Sequence, residues 1–203
     1  MGKKLHLGCF DQSIEGWVNT DITPHIWIAR FPLAPAILRA ARLLNQQRYL
    51  QHSQGVFRKL RYLNVAKRFP FPNDSFQAVF SSHMLEHLPP MVADNCVRES
   101  LRVLCPGGVC RIAVPDLDAL ISSYDPENPD NFVSAVFECG HGLEKNSHHW
   151  SYNGRSLCRL LRRVGFAEAS VVAYRVGRCP DLDRIDNRPG SLFVEGVKAP
   201  ATH

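Results

Sequence analysis

The chain has no Cys-x-x-Cys pair, no long uncharged apolar run and no three-glycine G-x-G-x-x-G turn, and over residues 22–73 it has no acidic side chain. Each absence removes a class of protein. Seven cysteines, an odd number without metal-ligand spacing, point to reduced thiols in the cytoplasm rather than a disulfide framework or a zinc ribbon. Met1-Gly2-Lys3-Lys4 runs straight into strand-like residues, so no secretory leader is expected, and His6 stands where a myristoylation pattern wants Ser or Thr. Arg30, Arg39 and Arg42 break up residues 26–44 and argue against a membrane span there, although a helix lying in the membrane interface stays open. There is no internal repeat and no DNA- or RNA-binding motif, and aromatic residues in the basic stretch are sparse for base stacking.

What is present fits a soluble globular protein. The chain has 203 residues, 45% apolar and 21% charged, enough for a sizeable core in one domain spanning 1–203. Charge is uneven. Nine of the 24 basic residues fall within 22–73, leaving 15 against 19 acidic residues elsewhere. A mildly acidic body thus carries a basic helical insert at about 25–60. Such an insert suits an anionic partner, such as an anionic membrane met peripherally or a nucleotide-linked substrate; a solvated helical face is the plainer reading. A lid or a homodimer arm is a further use. Ile37, Leu38, Ala41 and Leu44 share one helical face there, with Arg39 and Arg42 off it.

Along the chain, residues 5–8 and 17–21 read as short strands joined by a glycine-containing turn, the second ending in Asp21. Further strands are expected at 60–65, 76–81 and 109–114, with a closing antiparallel pair at 169–176 and 191–197. Helices are expected at 91–104, stopped by Pro106-Gly107-Gly108, and at 155–164, ended by Gly165. The linker 177–190 reads as a polar loop. Alternating strands and helices predict a doubly wound, mostly parallel α/β sheet of seven strands, with ligand at the strands' C-terminal ends.

The chain resembles the class I S-adenosylmethionine-dependent methyltransferases of the type 11 bacterial group. The matching residues are Leu7-Gly8-Cys9 with Gly16-Trp17-Val18-Asn19-Thr20-Asp21, Phe69-Pro70-Phe71-Pro72-Asn73-Asp74-Ser75-Phe76, Ser82-His83-Met84-Leu85-Glu86-His87-Leu88, the run from Glu99 to Gly108, Val114-Pro115-Asp116 and Gly165-Phe166. The resemblance implies S-adenosyl-L-methionine as cofactor and a Rossmann-like methyltransferase fold. It implies that Gly8 and Cys9 face the methionine portion, that Asp21 holds the ribose and that Asn64 reads the adenine. Ser82, His83 and Leu85 would line the methyl-transfer cleft. Phe10 stands where the family usually has a second glycine, in reach of the cofactor's carboxypropyl arm, and Gln77 replaces a usual Asp.

Methyl transfer from a sulfonium needs in-line positioning and a base for the acceptor proton. His83, His87 and Asp116 are the candidate catalytic residues, with His141 and His149 in a later loop. The expected function is methyl transfer to a small-molecule or glycan acceptor. The alternative, motivated by Phe10, is a methyltransferase-fold binding module without turnover. His83-Met84-Leu85-Glu86-His87 also satisfies H-x-x-E-H, a zinc-hydrolase pattern. Pro89-Pro90 cuts that helix short, and a third ligand would have to come from Glu138, Glu144 or Glu168 without a recognisable pattern. No metal-binding residue is therefore assigned.

Overall fold

A computed structural model describes residues 2–137 and 147–201. His141, Glu138 and Glu144 lie outside the described residues. Seven strands form one sheet in the order β3-β2-β1-β4-β5-β7-β6: β1 (Lys4–Leu7), β2 (Val18–Asp21), β3 (Arg61–Tyr62), β4 (Phe76–Ser82), β5 (Leu104–Val114), β6 (Glu168–Val172) and β7 (Leu192–Val197). β1 lies parallel to both β2 and β4, while β7 runs antiparallel to β5 and β6. The winding reverses between β1 and β4, which opens a crevice beyond their C-terminal ends. β1 and most of β4 are buried, as sheet strands covered on both faces must be.

Helices α1 (His25–Ile28), α2 (Ala34–Ala40) and α3 (Gln46–Ser53) fall between β2 and β3. Asn45 caps α3 through the Arg48 N–H. α2 buries none of its residues; Phe31, Leu33, Ile37 and Leu43 around it are all exposed. α4 (Pro90–Val103) begins on proline and turns Ala93, Cys96, Val97, Ser100 and Val103 inward, the spacing of one helical face. α5 (Leu117–Ser122) and α6 (Pro129–Phe137) follow β5. α7 (Gly154–Val164) has a capping box between Asn153 and Ser156 and stops at left-handed Gly165. Its Leu157 and Leu161 are fully buried in the main core.

Three expectations need correction. β3 is two residues long, because Leu60 and Leu63 leave the strand to enter buried clusters. The turn expected at Pro106-Gly107-Gly108 is absorbed into β5 by a register shift: Phe76 pairs with Leu104, but Ala78 pairs with Val109. The linker 177–190 contains α8 (Leu182–Ile185), and it delivers Cys179, Ile185 and Asp186 to the interior. Its anchor is Arg111 in β5, whose side chain is fully buried. That guanidinium pairs with Asp186, with Glu195 on the facing strand β7 at 2.8 Å, and with the carbonyls of Ala173 and Val176.

Candidate functional site

β1 ends at Leu7, and the chain turns at Gly8 with φ +62°. A Cβ at Gly8 would stand 2.3 Å from Met84 Cγ. Conformation and space therefore both require glycine. Phe10 follows with φ +43°, a conformation that strains an L residue by about 1–2 kcal/mol. Two contacts offset the strain. Its N–H donates to Asp21 Oδ2 at 2.9 Å, and its ring packs on the cluster of Cys9, Ile26, Ala29, Phe57 and Leu60. The Arg48 guanidinium sits 4.3 Å over that ring and pairs with Asp11 at 3.0 Å. The benzyl group thus turns toward the insert.

A cavity of about 340 Å³ lies over the ends of β1 and β2. Gly8, Asp21, Asn64, Met84 and His87 line it, and Phe10 does not. Asp21 Oδ1 accepts from the Thr23 N–H at 2.7 Å. Each carboxylate oxygen keeps a further lone pair for an outside hydroxyl. Asn64 Oδ1 accepts from the Ala66 N–H at 2.9 Å, which holds the amide at the cavity wall.

Two further hollows, about 400 and 480 Å³, lie on the other side of the strand ends. His83 borders both of them and the first cavity as well. It follows β4 with φ +48°. Its Nε2 lies 2.7 Å from Ser191 Oγ, and its Nδ1 lies 3.3 Å from Glu86 Oε1. Ser82 borders one of these hollows, and Arg188 borders both. Asp116 borders the other, but its carboxylate caps α5 by accepting from the Asp118 N–H at 3.0 Å.

Leu85 and Cys9 do not line the first cavity, although Cys9 borders the 400 Å³ hollow beside it. Leu85 is buried in the main core, because the short 3₁₀ turn Leu85–His87 rotates it inward and presents Met84 instead. Cys9 is buried against the insert, and its thiol is pushed up to about 12, first by burial and then by the Asp21 carboxylate. It is an inert core thiol. Sequence reasoning also missed Ser191 and Arg188. They lie over a hundred positions from His83, and no local pattern announces them.

The H-x-x-E-H reading fails on geometry. Leu85–His87 is a single 3₁₀ turn, and left-handed His83 precedes it, so the two histidines do not share a helix face. Glu168 lies on the edge strand β6, paired with Arg178 at 3.0 Å.

A family model described as a methyltransferase domain matches residues 33–112. No curated protein matches the chain. Among solved structures, it is similar to a Thermotoga maritima S-adenosylmethionine-dependent methyltransferase described as a possible histamine N-methyltransferase, with TM-score 0.56 and 16% identity over 98% of this chain and 83% of that one. It is similar to YcgJ of Bacillus subtilis, with TM-score 0.52 and 15% identity over 98% of this chain and 93% of that one. A third likeness is to PigF bound to S-adenosylhomocysteine, with TM-score 0.50 and 15% identity over 97% of this chain and 50% of that one. The strand order and the antiparallel β7 agree with these neighbours: the chain has the Rossmann-like methyltransferase fold, and residues 33–112 match a methyltransferase-domain model.

Proposed function

We propose that this methyltransferase acts on a hydroxyl group of a small molecule or glycan, with His83 as the base. One observation carries the reading: His83 borders both the cavity of Gly8, Asp21 and Asn64 and the two hollows beyond it. The cofactor's nucleoside would occupy the first cavity, with its ribose on Asp21 and its adenine near Asn64. The acceptor would enter from the other side, its hydroxyl where Ser191 Oγ now meets His83 Nε2. Glu86 beside Nδ1 favours the tautomer that leaves Nε2 basic. As the new C–O bond forms and the S–C bond breaks, the hydroxyl proton passes to Nε2. Arg184 and Arg188 at the entrance suit an acceptor with an anionic group.

Calorimetric titration with S-adenosylhomocysteine tests the donor half. The expected result is one site per chain with micromolar affinity. No binding would leave a binding module without turnover. His83→Ala should retain that affinity while methyl incorporation into a responsive acceptor falls by about 10²–10⁴-fold, the usual contribution of a positioned base. Unchanged incorporation would remove His83 from the chemistry.

The insert supports a second contact. Trp27, Phe31, Leu33, Ile37 and Leu43 are exposed beside exposed Arg30, Arg39 and Arg42, and Arg30 stacks over Trp27 at 4.2 Å. Exposed apolar and cationic groups together on one short segment suit an anionic bilayer surface. No helix among the described residues is long and apolar enough to cross a membrane. Sedimentation with vesicles of mixed neutral and anionic lipid should retain the protein, and replacing Arg30, Arg39 and Arg42 with Gln should release it. Equal retention of the variant counts against the contact.

A further inference from the structure

We infer that Glu86, His87 and His148 form a divalent-cation site on the wall of the nucleoside cavity. One donor atom of each residue lies within 4.8 Å of the others. Donors around a tetrahedral ion with bonds of about 2.0 Å stand about 3.3 Å apart, so modest side-chain rotation completes the set. Two imidazoles and one carboxylate suit zinc or a neighbouring transition ion more than magnesium or calcium, which prefer oxygen.

Burial supplies the second, independent argument. The Glu86 side chain is 1% exposed, and among the described residues neither of its oxygens accepts a hydrogen bond. A buried carboxylate is stable when it is paired, hydrogen-bonded or metal-bound. Among the described residues its ion-pair candidate is His83 Nδ1 at 3.3 Å from Oε1, which leaves Oε2 without one. His87 Nδ1 is also buried, with no hydrogen bond among the described residues.

The surroundings hold the three donors in place. The backbone N–H groups of His149 and Trp150 both donate to the Glu86 carbonyl, at 2.8 and 3.1 Å. They pin the His148 segment against the 3₁₀ turn that carries Glu86 and His87. His148 Nδ1 donates to the Val136 carbonyl at 3.0 Å, so Nε2 carries the lone pair. A histidine ligand is typically fixed by this kind of bond from its other nitrogen. The His87 and His148 rings meet edge to face, with centroids 4.8 Å apart.

Of the three residues, His87 borders open space. His87 lines the nucleoside cavity with Asp21 and Asn64, and also the hollow of Phe10 and Arg48. Three protein donors with an open position facing a cavity is the plan of a reactive metal site rather than a structural one. A hydroxyl or carboxylate oxygen of a ligand in the cavity would take that position. The inference stands on the donor set and does not require that methyl transfer occurs.

The test is calorimetric titration of the full chain, stripped with a chelator, with Zn²⁺ alone. One saturable site per chain is expected. His87→Ala and His148→Ala should each weaken it by more than the roughly 10–100-fold that loss of an outer partner causes. His149→Ala, at an exposed neighbour, should leave it unchanged. No single-site isotherm, or wild-type affinity in both variants, overturns the inference. Because either variant could unfold, Co²⁺ is added to the unmodified protein as well. Strong visible bands of a four- or five-coordinate ion support the site, and the weak spectrum of hydrated Co²⁺ overturns it. Titrating the same stripped protein with S-adenosylhomocysteine reports separately on the methyltransferase reading.

Discussion

Arg111→Met should lower the stability of the fold by about 3–5 kcal/mol, the loss typical of breaking a buried ion pair from one side. The guanidinium is fully buried and serves two carboxylates. Its Nε meets Asp186 Oδ1 at 2.9 Å and its Nη1 meets Glu195 Oε1 at 2.8 Å. Backbone N–H groups of Arg175, Arg178 and Cys179 occupy further carboxylate lone pairs. Methionine would fill much of the volume yet leave two buried anions facing each other. Urea denaturation followed by circular dichroism measures the effect. Replacing Arg111, Asp186 and Glu195 together with apolar residues should lose less than Arg111→Met alone, since no charge is then stranded. A loss below about 1 kcal/mol for Arg111→Met would mean that water or rearrangement satisfies the carboxylates.

Asp21→Ala should weaken S-adenosylhomocysteine binding by about 100-fold or more. A hydrogen bond to a charged group contributes about 1.5–3 kcal/mol, two ribose hydroxyls would be lost together, and each 1.4 kcal/mol is a factor of ten. The carboxylate also holds the first turn, through the N–H groups of Phe10 and Thr23. Asp21→Asn separates the two roles. It keeps one acceptor for the turn and should sit between wild type and Asp21→Ala in affinity, with smaller loss of thermal stability. Binding within about threefold of wild type in Asp21→Ala, a difference of about 0.65 kcal/mol, would place the nucleoside elsewhere.

Much of this architecture was legible before any coordinates. β4 and the end of β5 sit where short apolar runs met turn signals, because a buried parallel strand has to be nearly continuous in apolar residues. Boundaries slipped where tertiary contacts overrode local pattern. Leu60 and Leu63 are strand-like residues drawn into separate buried clusters, and Pro106-Gly107-Gly108 is turn-like sequence held in a strand by the β4 register shift. Leu85 and Met84 show the same limit at the site. Both are apolar and adjacent, and only the 3₁₀ turn decides which one reaches the cavity. The Arg111 network had no local signature. Its partners Asp186 and Glu195 look like surface charges in a polar linker and an edge-like strand. Glu86 with His148 lies beyond sequence reach for the same reason: 62 positions separate them, and the donors converge only through the fold.

Phe10 links two parts of the molecule that could otherwise move apart. Its ring is wedged among the insert's side chains, while its N–H grips the carboxylate at the end of β2. The residue therefore works as a short lever. A tug on α1 or α3, as when the helices settle against another surface, is transmitted through one strained backbone unit to Asp21. Any tension that lets Phe10 relax from its left-handed conformation would loosen the same N–H. The cavity wall at Asp21 and the seating of the insert thus meet at a single peptide.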